Sequence, residues 1–228
     1  MGNKKIKKKL KAVIIASGGM DSTTLLYDIL AQGYKAYVLS VNYNQKHFKE
    51  LDFIHKTCQK LKVPHKIIDL SRVGKELLFA SALTSHKINI PQGKYKNKNM
   101  KLTVVPNRNM ILLSLAAGYA ISLGAKKVFY AAHAGDHALY PDCRKEFVQA
   151  MRKAISLAHW GPLELEAPYL NLSKSDIAMK GKRLGVDYSL TWSCYQGGIK
   201  ACGKCGTCQE RLAAFKKIGI KDPLKYEI

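Results

Sequence analysis

The chain lacks any uninterrupted apolar run near the roughly 18 residues a membrane span requires. Its start, Gly2, Asn3, Lys4, Lys5, carries no apolar signal region. These two absences predict a protein that stays in the cytoplasm and keeps its thiols reduced. Internal repeats are missing too, and no compositional bias toward disorder is present. At 228 residues and 47% hydrophobic content the chain can fill one core, with room for a small appendage. Acidic residues are scarce: 16 Asp plus Glu stand against 38 Lys plus Arg, a net charge of +22. That charge fits either a polyanionic partner, such as nucleic acid or a nucleotide, or a solvated lysine-rich surface. The lysines gather at Lys4, Lys5, Lys7, Lys8, Lys9 and Lys11 and again from Lys94 to Lys101, without the interleaved aromatics of a base-stacking stripe. A dedicated nucleic-acid binder is therefore the less favoured reading.

What is present is an alternation of apolar runs and helical patterns, which predicts an α/β fold with a mainly parallel sheet and right-handed crossovers. Strands are expected at Lys11 to Ala16, Lys35 to Val41, Lys66 to Leu70 and Lys127 to Ala132. Helices are expected at Asp21 to Gln32, Glu50 to Lys60, Asn109 to Leu123, Arg144 to His159, Lys174 to Leu184 and Gln209 to Lys217. Gly33, Gly124 and Gly185 close helices, because glycine adopts the left-handed conformation of a helix end without strain. Thr84 to Lys101 has no period and reads as an exposed loop, either mobile or closing over a ligand, and Glu164 to Leu172 reads as irregular or extended. The chain divides into a nucleotide-binding α/β unit over 1–190 and a metal-dependent element over 191–228.

Chemistry concentrates first in Ser17-Gly18-Gly19-Met20-Asp21-Ser22-Thr23, between the first strand and the first helix. Two glycines let backbone approach an anion, three hydroxyls surround it, and the helix start offers free N–H groups and a positive dipole end. No lysine follows the glycines, so this is not the cradle of γ-phosphate transfer. It matches the S-G-G-x-D-S pyrophosphate loop of enzymes that adenylate a substrate. The plainer alternative is a glycine-rich turn with Asp21 as N-cap.

Cys194, Cys202, Cys205 and Cys208 form a C-x7-C-x2-C-x2-C arrangement. Four thiolates at this spacing suit a closed, structural zinc ion, with an iron–sulfur cluster as the rival. Cys58 and Cys143 fall outside it and read as buried fillers.

Four more segments accompany the loop in order: Tyr43-Asn44-Gln45-Lys46-His47, Val105-Pro106-Asn107-Arg108-Asn109, Asp136 leading to Tyr140-Pro141-Asp142-Cys143-Arg144, and Cys194-Tyr195-Gln196-Gly197. With the loop, they make the chain resemble the 7-cyano-7-deazaguanine synthase family from about Val13 to Phe215. Asn44 departs from the family's usual Gly, and the lysine-rich start and the Lys94 to Lys101 stretch lie outside its pattern.

The resemblance implies a Rossmann-like, adenine-nucleotide alpha-hydrolase type three-layer sandwich with a small C-terminal zinc element. It implies ATP with Mg²⁺, 7-carboxy-7-deazaguanine and ammonia as reactants, one structural Zn²⁺, and a homodimer. ATP would lie along Ala16, Ser17, Gly18, Gly19, Met20, Asp21, Ser22, Thr23, Thr24, Leu25 and Leu26. Asp21, Ser17, Lys174 and Arg108 would serve catalysis. Gln45, His47, Arg108, Asp136, Tyr140, Asp142 and Arg144 would hold the substrate. Lys174 opens a helix in Ser173-Lys174-Ser175-Asp176, where Asp176 replaces the more usual Glu. His47, His133 and His137 suit either substrate positioning or structural hydrogen bonding. Two rival functions stay open: the same activation chemistry ending at the amide or on another amine of a protein or nucleic acid, and a zinc-containing nucleic-acid-binding module.

Overall fold

The computed structural model describes residues 9–93, 98–137 and 139–228. The elements follow in order as strand β1 (Lys11–Ile15), helix α1 (Met20–Ala31), β2 (Lys35–Asn42), α2 (Glu50–Leu61), β3 (His65–Asp69) and α3 (Ser71–Leu77). After these come α4 (Arg108–Leu123), β4 (Lys127–Phe129), α5 (Lys145–Leu157), β5 (Glu164–Glu166), α6 (Lys174–Arg183) and α7 (Gly206–Lys217). The five strands form one sheet in the order β3-β2-β1-β4-β5, and every pairing is parallel.

Strand β1 is central and buried on both faces, so its residues are apolar without alternation. Val13 faces one core together with Leu113, Ala116, Val148, Met151 and Ile155 of α4 and α5. Ala12 and Ile14 face the other with Leu25, Leu26, Ile29, Ile54 and Ile177 of α1, α2 and α6. Two helical layers thus enclose the sheet, the expected three-layer α/β sandwich. Burying a side chain such as Leu25 contributes about 2 kcal/mol.

Gly33, Gly124 and Gly185 do close helices, with φ of +86°, +63° and +69°. Expected boundaries move by one to three residues, and two differences have physical causes. Helix α3 was not legible because its seven residues include Gly74, which packs against the carbonyl of Tyr43. The stretch expected as an exposed loop is anchored to the body at several points. Thr84, Ile90 and Met100 are buried while residues between them are exposed, and the Gly93 N–H donates to the Lys204 carbonyl at 3.0 Å. Lys94 to Asn97 lie outside the described residues, as does the basic start through Lys8. Lys11, from that basic start, ties β1 to α4 by donating to the Leu123 carbonyl at 2.7 Å.

The cysteine-bearing tail is built into the same body. Cys194, Cys205 and Cys208 share an apolar cluster with Val41, Tyr43, Val105 and Trp192. Phe215 of α7 and Ile218 just after it pack with Met20 of α1 and Ala178 of α6. Fully buried Arg211 fastens the tail with a fork of hydrogen bonds to Asp222 at 2.8 and 3.0 Å and a bond to Thr191 at 2.7 Å. Among the described residues no helix is long and apolar enough to cross a membrane.

Candidate active site

Strand order reverses between β1 and β4, and a cleft opens outside the carboxyl ends of the strands there, as crossover geometry in open α/β sheets requires. Ile15 at the end of β1 and Ala16 and Ser17 after it, Val41 and Tyr43 in and after β2, and Tyr130, Ala131 and Ala132 after β4 line it. Gly19, Met20, Asp21 and Ser22 form the wall at the start of α1. Gly19, not Asp21, is the N-cap. Gly18 has φ +93°, and a Cβ there would lie 2.1 Å from the Glu50 carbonyl oxygen, so only glycine fits the bend. Its own carbonyl accepts from the Trp192 N–H at 2.8 Å, which fixes the bend against the tail.

At the mouth of this bend Lys174 and Asp21 meet, 153 residues apart in sequence, with Nζ 2.5 Å from Oδ2. Glu210 Oε2 lies 3.3 Å from the same ammonium, and His133 Nε2 stands 3.6 Å from Asp21 and 3.4 Å from Asp136. Burial alone would raise the Asp21 carboxyl, but Lys174 and then His133 outweigh it and hold it below the usual carboxylate range. Burial likewise opposes the Lys174 charge, yet Asp21, Glu210 and Asp136 keep that ammonium above an ordinary lysine. The pair is therefore ionic at neutral pH. The second oxygen of Asp21, Oδ1, is buried without a hydrogen-bond partner.

Across the cleft, Arg108 begins α4 and places its guanidinium 5.7 Å from the centre of the Tyr140 ring. Burial works against its charge, but Tyr43, Tyr140 and Asp142 more than compensate and hold it well above the ordinary arginine value. Tyr140 Oη pairs with Tyr195 Oη and with Thr103 Oγ1, each at 3.0 Å. His47 and Glu50 complete this wall with His47 Nε2 3.5 Å from Glu50 Oε1. Burial and then Arg108 drive the His47 imidazole down to about 3, so it is neutral. Burial lifts Glu50 to about 8 against the pull of Arg108 and hydrogen bonds from Gln45 and Ser17.

The expected residues divide accordingly. Ala16, Ser17, Gly19, Met20, Asp21, Ser22, His47, Arg108, Asp136, Tyr140 and Lys174 all line the cleft. Thr23, Thr24, Leu25 and Leu26 do not: the first turn of α1 carries them into the core, where Thr24 Oγ1 donates to the Met20 carbonyl at 2.8 Å. Gln45 turns inward, accepting from the Tyr43 N–H at 2.8 Å and donating to the Val41 carbonyl at 3.2 Å. Asp142 caps α4 by accepting from the Asn109 N–H at 3.0 Å. Arg144 is exposed and donates to the His137 carbonyl at 2.9 Å, outside the cleft wall. Asp176 completes a capping box with Ser173 at the start of α6. Asn44, in place of glycine, adopts φ +64°, which asparagine tolerates better than most residues. Glu50, Glu210, Trp192, Ser193 and Thr207 were not singled out from sequence. Glu50 gave one signal, an acidic residue shortly after the Tyr43 to His47 segment at the start of an amphipathic helix.

The four tail cysteines converge so that their sulfurs all lie within 4.8 Å of one another, with Cys202 and Cys208 4.0 Å apart. A tetrahedral zinc–thiolate site places sulfurs about 3.8 Å apart. Backbone N–H groups of Cys202 and Cys205 point at the sulfurs of Cys194 and Cys202 at 3.3 Å, as thiolates prefer. The donor set and its geometry fit a metal ion. Cys58 and Cys143 are buried apart from it, Cys143 in the cleft wall.

A parallel sandwich with a glycine bend and a half-buried Asp–Lys ion pair beside the start of α1, at its switch point, has the arrangement of a nucleotide-binding α/β protein. Residues 11–219 match the family model described as queuosine biosynthesis protein QueC, and the chain belongs to that family. It is 61% identical to the 7-cyano-7-deazaguanine synthase of Caldicellulosiruptor bescii, over 96% of this chain and 98% of that one. It is 62% identical to the enzyme of the same name from Caldicellulosiruptor saccharolyticus, over 96% of each chain. The structure of NMN synthetase from Francisella tularensis shares the fold, with a TM-score of 0.53 at 17% identity, covering 94% of this chain and 79% of that one.

Proposed function

We propose that this chain converts 7-carboxy-7-deazaguanine and ammonia to 7-cyano-7-deazaguanine, consuming two ATP and releasing two AMP and two pyrophosphates. Family membership over residues 11–219 supports the reaction, and the placement of Asp21 and Lys174 at the glycine bend supports the site. A carboxylate resists ammonia because it is anionic and has a poor leaving group. Attack of its oxygen on the α-phosphorus of ATP makes an acyl-adenylate whose leaving group is AMP. Ammonia then gives the amide, and a second ATP activates the amide oxygen so that loss of AMP leaves the nitrile.

In this reading the N–H groups of the bend and the Lys174 ammonium neutralise the phosphates as pyrophosphate departs, while Ser17 and Ser22 hold phosphate oxygens. Asp21 fixes Lys174, and its free Oδ1, with Asp136, would hold the Mg²⁺ that accompanies ATP and offsets its charge. Arg108 faces the substrate carboxylate, and Tyr140 and His47 shape the pocket for the base. Zn²⁺ held by Cys194, Cys202, Cys205 and Cys208 would cross-link residues 191–228 onto the α/β body of 1–190 and supply no chemistry to the reaction. The enzyme would work in the cytoplasm as a homodimer.

The test is AMP and pyrophosphate release with 7-carboxy-7-deazaguanine, with the product identified by mass. Nitrile from free ammonia is expected. Asp21→Asn should lower pyrophosphate release by about 10²-fold or more while the protein stays folded. An amide-only product, or full activity in Asp21→Asn, would refute the reading.

A further inference from the structure

The reaction proposed above, on which this inference rests, sets a proton count. Nitrogen enters as NH₃ and leaves bearing no hydrogen, so three protons must be taken from it in each turnover. One leaves as the C–N bond forms and the acyl C–O bond breaks to free AMP. A second leaves when the amide oxygen bonds to the α-phosphorus of the second ATP and pyrophosphate departs, giving a neutral imidate. The third leaves as the imidate C–O bond breaks, when the N–H electron pair completes the C≡N bond and AMP carries away the C–O electrons. No oxidant or reductant is needed, only a base that reloads between steps.

The cleft offers few groups for that work. Asp21 is committed to Lys174 at 2.5 Å, and the Lys174 ammonium already carries its full complement of protons. The His47 imidazole is too weak a base once buried beside Arg108. Glu50 differs from these. Its carboxyl lies in the cleft wall, 7% exposed, and Oε1 meets the Gln45 Nε2 at 3.4 Å and the His47 Nε2 at 3.5 Å. It lines the same cleft as Ser17, the residue that opens the phosphate bend, and its backbone packs against Gly18 of that bend, so it stands beside the place where adenylate would form. The backbone of Glu50 is what excludes a side chain at Gly18, so the helix that carries this carboxyl and the phosphate bend are held in register.

We propose that the Glu50 carboxylate receives the protons released from nitrogen, alternating between carboxylate and carboxylic acid during the turnover. Burial places its titration near 8, where a carboxylate is basic enough to take a proton and acidic enough to return it to water. The groups that face it are Ser17 from the bend, Gln45 and His47 from the loop before α2, Tyr43 from the end of β2 and Arg108 from α4. Of these, His47 is neutral and Tyr43 is raised to about 12, so neither titrates in the same range.

The purified full-length chain is compared with its Glu50→Gln and Glu50→Asp variants in two reactions. Carboxylate-dependent exchange of pyrophosphate into ATP, with ammonia omitted, removes no proton from nitrogen. Conversion of the deazaguanine amide to nitrile with ATP removes two, and supplying the amide directly keeps ammonium ionisation out of the pH profile. Glu50→Gln should slow nitrile formation by about 10² to 10³-fold. Exchange should fall by less than about tenfold. The unmodified chain should show an acidic limb near pH 8 in nitrile formation, absent from Glu50→Gln and retained, at lower rate, by Glu50→Asp. Equal loss of both reactions in Glu50→Gln would overturn the proposal by assigning Glu50 to the ATP grip or the fold, and so would full retention of both. Failure of the unmodified chain to exchange pyrophosphate would instead overturn the activity itself, and this inference with it.

Discussion

Gly18→Ala separates the close packing of the phosphate bend from ordinary glycine flexibility. The residue sits at φ +93°, where a side chain costs about 1 kcal/mol or more. Its Cβ would fall 2.1 Å from the Glu50 carbonyl oxygen. Carbon and oxygen normally approach to about 3.3 Å, so the bend and the start of α2 must part by about 1 Å. Such overpacking costs a further 1–3 kcal/mol or so. A total near 3 kcal/mol should lower the thermal midpoint by about 6–12 °C in a chain of this size. A 1 Å shift of the phosphate grip should also slow adenylation by about 10²-fold, read as pyrophosphate release. Gly33→Ala is the control: φ is +86°, but no atom lies within 4 Å of its Cβ position. It should cost about 1 kcal/mol, or about 2–4 °C, and leave adenylation unchanged. Equal thermal shifts in the two variants would refute the claim that Glu50 closes the bend.

Two further outcomes concern the tail. Arg211→Met leaves the Asp222 carboxylate buried without its partner and should cost about 3–5 kcal/mol, measured by urea unfolding. The double variant Arg211→Met, Asp222→Leu should recover part of that loss, and no recovery would count against the ion-pair account. Metal removal by a strong chelator should lower the thermal midpoint by more than about 10 °C and expose residues 191–228 to protease first. An unchanged midpoint in protein shown to be metal-free would refute the staple.

Local physics made much of this protein legible from its residues. Apolar runs such as KAVII bury on both faces and so read as central strands, glycines mark where helices must turn left-handed, and C-x2-C steps bring thiols together over a few residues. The glycine bend was readable for the same reason: its function depends on consecutive backbone groups. Only the tertiary structure decided which side chains meet across long separations. Asp21 and Lys174 were both candidates, but their pairing across 153 residues, with Glu210 behind them, needed the crossover of α6 over α1. Thr23 to Leu26 follow the bend in sequence yet turn away from it, because a helix rotates successive residues around its axis toward the core. Asp142, Arg144 and Gln45 have the chemistry of ligands, but each bonds backbone, and Gln45 also reaches Glu50 inside the fold. Glu50 shows the converse: the sequence marks it only as the first residue of a helix, whereas its burial beside Ser17, His47 and Arg108 is a property of the assembled cleft.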